Sequence, residues 1–212
     1  MHGERMETAG AGSKRGEETT LPEPDAAESA LVARARAGER VALEEIVRLH
    51  AGTVYRIVAG YVPRDEAEDA TQEVFVRIQQ GLPAFEGRSR LATWIHRIAT
   101  NVGLRRIRTR RRKPPPHSID GVDAAAPGAS PLDATSDEEL REAFRLALDA
   151  LPGEQRAVVV LRGIEGLPFE DVASALGIPL PTAHSRMARA CERLRRILQR
   201  FVDPERTAHE PR

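Results

Sequence analysis

One break in composition divides this chain of 212 residues and limits what it can fold into. Residues 114–139 read PPPHSIDGVDAAAPGASPLDATSDEE, with five prolines, six acidic residues and no basic ones. Three bulky aliphatic side chains in this stretch are too few to anchor a core, and its proline-rich start is stiff. The sequence therefore predicts two small domains joined by an acidic linker.

Apolar side chains before the break recur at helical spacing. From residue 28 to 61 they follow an i, i+3, i+4 pattern, which is typical of amphipathic helices. Two further helices are predicted over residues 65–80 and about 90–110, separated by a loop with Gly81, Pro83 and Gly87. Residues 1–25 are polar, and we expect them to be disordered. No period of two appears, so the predicted fold class is all-α.

The part of the chain after the linker, which we call the second block, contains 166-GLPFEDVASALGIPLPTAHSRMARACERLRR-196. The part before the linker is the first block. A short amphipathic helix, a left-handed cap at Gly177 and a second helix starting near Pro181 are typical of a helix-turn-helix. The second helix would enter a DNA major groove and present polar and basic side chains: Thr182, His184, Ser185, Arg186 and Arg189. The alternative is an ordinary helical hairpin with a solvated arginine face.

Charge is distributed unevenly along the chain. It carries 32 basic and 32 acidic side chains, yet residues 88–113 hold nine arginines, one lysine and no carboxylate. Such a patch favours contact with phosphates.

The single cysteine, Cys191, excludes an internal disulfide, and no apolar run approaches a membrane span or a signal peptide. We expect a cytoplasmic protein without membrane insertion.

Sequence signatures of catalysis or metal binding do not occur in the chain. It has no Gly-rich phosphate loop, no HExxH and no CxxC, and its six histidines are scattered. His184 and Cys191 lie seven residues apart, but two ligands do not make a zinc site. We expect no catalytic residue, metal or cofactor, and hence a protein that is not an enzyme.

Three stretches together resemble the extracytoplasmic-function branch of the sigma-70 family, the promoter-recognition subunits of bacterial RNA polymerase. They are 68-EDATQEVFVRI-78, 85-FEGRSRLATWIHRIATN-101, and 151-LPGEQRAVVVLRGIEGLPFEDVASALGI-178 with 182-TAHSRMARA-190. The resemblance spans about residues 28–200, in the family's order and spacing. Three residues depart from the family pattern: Pro179, Pro181 and His184.

The resemblance implies a division of the chain and a role for each part. It implies an N-terminal tail (1–25), a region 2-like domain (26–113), the linker (114–136), a region 4-like domain (137–202) and a tail (203–212). The residues implied to bind core polymerase are Asp69, Gln72, Glu73, Phe75 and Arg77. The residues implied to bind the −10 element are Phe85, Gly87, Arg88, Ser89, Arg90, Arg97, Asn101, Arg105 and Arg108. The helix-turn-helix would read the −35 element.

The partners implied by the resemblance are core RNA polymerase, through the largest-subunit coiled-coil and the flap, promoter DNA, and a cognate anti-sigma factor. Two rival functions stay open from the residues alone: a stand-alone helix-turn-helix regulator, and a helical adaptor with no DNA role. Trp94 is predicted to be core rather than a base-stacking platform. The linker is either a tether or a segment that enters the RNA-exit path.

Overall fold

The computed structural model describes residues 26–112 and 137–202, and every regular element in these two ranges is helical. The first range contains α1 (Ala26–Arg36), α2 (Arg40–Ala59), α3 (Ala67–Gly81) and α4 (Leu91–Arg112). The second contains α5 (Asp137–Asp149), α6 (Gly153–Val158), α7 (Phe169–Leu176) and α8 (Leu180–Val202). The predicted all-α fold class is confirmed. The predicted tails and most of the linker lie outside the described residues.

Helices α2, α3 and α4 pack against one another, and α1 lies across α2. Their apolar stripes supply a core that includes Ile46, Val54, Ile57, Val74, Ile78 and Ile95, all fully buried. Short 3₁₀ turns, Arg64–Glu66 and Leu82–Ala84, stand at the two ends of α3. The prolines at 63 and 83 explain these breaks, because proline cannot continue an incoming helix.

The second block contains one element that periodicity did not predict. Helix α6 continues into a turn of π-helix, Val159–Ile164. The turn buries Val159, Val160 and Leu161, so it widens the helix without leaving the core. A smaller cluster, made by α5, α6 and α8, holds the rest of this block together: Ala147, Leu148, Leu151, Val159, Ala190 and Leu194.

The two blocks are packed against each other. One hydrophobic cluster contains Ala99 and Val102 of α4 together with Val158, Val160 and Val172 of the second block. Gly60 permits this approach, because a Cβ at that position would lie 2.6 Å from a methyl group of Val160. The sequence predicted two domains on a tether and gave no sign of this shared core.

Arg156 of α6 is the polar centre of the contact between the blocks. Its side chain is buried, its Nε donates to the Gly60 carbonyl at 2.5 Å, and its guanidinium lies 5.8 Å from the Tyr61 ring centre. It also forms an ion pair with Asp149 at 2.7 Å. Burial lowers the pKa of Arg156, and Asp149 opposes that shift. The ion pair between Arg56 and Glu165, at 2.8 Å, joins the two blocks nearer the surface, whereas Asp149 and Arg156 both belong to the second block.

The face of α4 that meets the second block is partly polar, with Thr93, His96 and Thr100 buried on it. Burial is the main cause that lowers the pKa of His96, whereas Glu165 raises it and His50 lowers it further. The folded-state pKa of His96 therefore lies below its unfolded value of about 6.5. Protonation of this residue favours the unfolded chain.

We predict that the unfolding free energy falls as pH drops from 7 to 5, because the unfolded state then binds more protons. His50, whose pKa is also lowered by burial, should contribute to the same slope. Urea unfolding across this range should show a smaller pH dependence in His96→Gln than in the wild type. The exposed, non-titrating control Asn101→Gln should leave the dependence unchanged, and an unchanged slope in His96→Gln would contradict the assignment.

Candidate polymerase- and DNA-binding surfaces

One face of α3 is exposed along its whole length. Asp69, Gln72 and Val76 follow one another at spacings of three and four, so they share this face, and all three are exposed. Phe75 is half-buried and packs against the core from the edge of the same helix. An exposed Val76 between polar residues gives the face an apolar centre, as protein-binding surfaces commonly have.

Glu73, at the edge of this face that adjoins α4, is engaged within the chain. It forms ion pairs with Arg77 at 2.7 Å and with Arg106 of α4 at 3.0 Å. Burial alone would raise the pKa of Glu73, but the hydrogen bonds from Arg106 and Arg77 outweigh it and lower the pKa. Glu66 extends the cluster to Arg110 at 3.1 Å. This network clamps α3 to α4, so Glu73 and Arg77 are less available to a partner than Asp69 and Gln72.

Helix α4 presents a stripe of polar and basic side chains to solvent, and we call it the α4 stripe. It consists of Arg90, just before the helix, with Arg97, Asn101 and Arg108, all exposed. Spacings of seven, four and seven residues place them on one side of the helix. Within the described residues, Arg90, Arg97 and Arg108 make no ion pair, whereas Arg105 lies 4.0 Å from Glu73. Among the described residues, the stripe therefore carries positive charge that no carboxylate pairs with.

The loop before α4 holds the remaining residues predicted to read the −10 element. Gly87, Arg88 and Arg90 are exposed, and Arg88 pairs with Glu86 at 2.5 Å. Phe85 instead is buried, with its ring centroid 5.1 Å from that of Trp94. Trp94 also packs against the core, as predicted. Contact between Phe85 and DNA stays a prediction. In the structure the Phe85 ring packs on Trp94 and supports the loop from beneath.

Helices α7 and α8 form the predicted helix-turn-helix. Gly177 adopts φ 63° at the end of α7, a left-handed conformation that glycine reaches without strain. The Ile178 N–H then bonds to the Ala173 carbonyl at 3.0 Å, which closes the turn. Helix α8 begins at Leu180, one residue earlier than predicted from Pro181.

The predicted −35 residues occupy different environments on α8. Ser185 and Arg189 are exposed, and Arg189 donates to the Ser185 carbonyl at 3.2 Å and to its hydroxyl at 3.3 Å. Arg186 lies at the flank, half-buried, in an ion pair with Glu154 at 2.6 Å. The His184 ring packs on Phe169 with centroids 4.0 Å apart. Thr182 is half-buried in the first turn.

Sequence reasoning missed two residues of these surfaces. Val76 could have been found, because it is a bulky apolar side chain that falls outside the buried period of α3. Glu154 could not, because its ion pair with Arg186 depends on how α6 packs on α8.

Comparison with known families identifies both blocks. Residues 46–113 match the family model for Sigma-70 region 2, and residues 141–194 match that for Sigma-70, region 4. The chain is 30% identical over 180 residues to the "ECF RNA polymerase sigma-E factor" of Escherichia coli strain K12. That alignment covers 81% of this chain and 94% of the relative.

Two solved structures share the arrangement of helices. One is CnrH in complex with the cytosolic domain of CnrY, with a TM-score of 0.61 and 22% identity, covering 82% of this chain and 97% of CnrH. The other is the sigma factor RpoE in complex with the anti-sigma factor NepR from Bartonella quintana. Its TM-score is 0.55 at 26% identity, covering 74% of this chain and 96% of RpoE. Within the described part of this chain, no helix is long and apolar enough to cross a membrane.

Proposed function

This chain belongs to the extracytoplasmic-function branch of the sigma-70 family and is an RNA polymerase sigma factor acting in transcription initiation, and from this premise we propose which surfaces meet the polymerase and the promoter. The exposed face of α3 with Asp69 and Gln72 docks on core polymerase. The loop 85–90 and the α4 stripe bind the −10 element. The exposed face of α8 reads the −35 element.

One observation carries the −10 assignment: the α4 stripe is positively charged, exposed and lacks compensating carboxylates among the described residues. Phosphates of a DNA strand would supply the missing negative charge, and each contact releases counterions. The stripe adjoins the loop, so a strand that runs along the arginines would bring its bases to residues 87–90. The rival adaptor with no DNA role leaves this charge unexplained.

The role of the α4 stripe can be tested in the complex with core polymerase. Removing Arg97 and Arg108 together should weaken binding of the −10 strand and make that binding less dependent on salt. The slope of log K against log salt should become shallower by about 0.7 for each lost phosphate contact. Arg40→Ala is the matched control, because its side chain is 89% exposed and lies on α2. An unchanged slope in the double variant would remove the stripe from the DNA interface.

For the −35 element, we propose that Arg189 holds a phosphate and that Arg186 reads a base edge after leaving Glu154. Arg186→Ala should cost about 1–3 kcal/mol and relax preference at one base pair, whereas Arg189→Ala should weaken all sites alike and lower the salt slope by about one. Duplex affinities of the full chain on matched and single-mismatch sites measure both. If Arg186→Ala keeps the preference, the choice of reading residue is wrong, and Ser185 with Arg189 becomes the candidate.

The protein would supply binding energy for promoter recognition and strand opening, while the polymerase performs the chemistry, so we propose that it is not an enzyme. We place it in the cytoplasm, where polymerase and promoter DNA are found. The RpoE neighbour was solved with an anti-sigma factor, which supports the proposal that this chain also has a cognate anti-sigma partner.

A further inference from the structure

Glu28 of α1 reaches across to the first residue of α4. Its Oε1 accepts a hydrogen bond from the Leu91 backbone N–H at 2.9 Å, although the two residues are 63 positions apart. Glu28 is half-buried at this contact. It precedes residues 46–113, the part that matches the region 2 family model, so the family match does not point to it.

The start of α4 needs this outside contact. The first N–H groups of a helix have no partners within the helix, and a nearby carboxylate both accepts from them and suits the positive end of the helix dipole. The first turn of α4 has no acidic residue. The hydroxyl of Ser89, just before the helix, bonds to the Arg90 carbonyl at 3.3 Å, and the Leu91 N–H bonds to Glu28 instead. Glu28 supplies the cap that this segment lacks.

Helix α1 also forms one wall of a cleft whose other wall is the loop before α4. The cleft has a volume of about 180 Å³. Five residues of α1, among them Glu28, Val32 and Arg36, face four residues of the loop: Phe85, Glu86, Gly87 and Ser89. Phe85 is held from below by Trp94. The loop is thus supported by Trp94 beneath Phe85, and it runs directly into the start of α4 that Glu28 of α1 caps.

We propose that Glu28 is a positioning residue for −10 recognition, which fixes the loop 85–90 and the first turn of α4 in the geometry that meets the DNA strand. This inference rests on the proposed assignment of that loop to the −10 element. A loop that is ordered before binding has no further conformational freedom to lose when DNA binds. Its polar groups are also held in one arrangement, which fits one base better than the others. Loss of the cap should therefore reduce discrimination between bases as well as affinity.

The test uses holoenzyme assembled from core polymerase and the full chain, with promoters that carry each of the four bases at each −10 position. Glu28→Ala should lower the preference for the best base by up to about fivefold, the equilibrium factor by which loss of a cap typically disfavours the ordered helix start. Glu28→Gln should keep most of the preference, because the amide oxygen still accepts from Leu91. Glu44→Ala, which removes an exposed carboxylate from α2, is the control and should match the wild type.

The outcomes separate this inference from the proposed function. If wild-type holoenzyme shows no preference at any −10 position, the assignment of the −10 element itself fails. If the wild type discriminates and Glu28→Ala discriminates equally, with only a lower melting temperature, Glu28 is a structural cap and the inference is overturned. If Glu28→Gln behaves like Glu28→Ala, the hydrogen bond to Leu91 is not what positions the loop, and the inference is likewise overturned.

Discussion

Replacing Asp69 and Gln72 with alanine is expected to weaken binding to core RNA polymerase by at least about tenfold and to abolish transcription at low protein concentration. Both side chains are exposed on α3 beside Val76, and neither forms part of the ion-pair network that joins α3 to α4. A few residues at the centre of an interface usually carry most of its binding energy. The variant should keep its helical content, because no core contact is lost.

The control for this experiment is the double variant Asp65→Ala, Gln80→Ala. It removes the same residue types from exposed positions at the two ends of the same helical segment. Co-purification with core polymerase and a titration of transcript yield measure docking. Wild-type binding by the Asp69, Gln72 variant would show that this face of α3 is not the docking surface.

Arg156→Ala is expected to give the largest loss of stability, about 2–4 kcal/mol in the free energy of unfolding. The substitution leaves the Gly60 carbonyl without its 2.5 Å donor and removes one of the two ion-pair partners of Asp149, which keeps Arg145 at 2.8 Å. Asp149 is 37% exposed, so water compensates part of that loss. The contact joins the two blocks, so their packing should weaken together with the fold.

Urea unfolding of the full chain, followed by circular dichroism, measures this effect. Arg156→Lys should lie between the wild type and Arg156→Ala, because lysine keeps the charge but not the fixed donor geometry of guanidinium. The exposed Arg193→Ala should change stability by less than about 0.5 kcal/mol. If Arg156→Ala resembles Arg193→Ala, this buried arginine does not hold the blocks together.

Local sequence patterns predicted most of the helices because each signal acts within a few residues. The apolar stripe of α3, the cap at Gly177 and the order of α7 and α8 all follow from spacing and from the properties of glycine. The family resemblance added the functional assignment, and the comparisons confirm the family. Helix ends shifted by a residue or two, as at Leu180.

Contacts between distant segments could not be predicted in this way. The shared core depends on Ala99 and Val102 of α4 meeting Val158 and Val160 of the second block, and helical spacing shows that a face is apolar without showing which distant segment covers it. Glu28 and Leu91 are likewise joined only by tertiary packing. The charge of the basic stretch was visible in the sequence, but the sequence did not show that Arg106 is paired while the arginines of the α4 stripe have no ion pair within residues 26–112 and 137–202.

Sequencing the 5′ ends of RNA made in vitro from genomic DNA tests the central claim most directly. Core polymerase with the full chain should start at a discrete set of sites that share two upstream motifs, one read by each block. Core polymerase with the Asp69, Gln72 variant should lose those starts. Starts identical to those of core polymerase alone would contradict the claim that this protein directs promoter recognition through these surfaces.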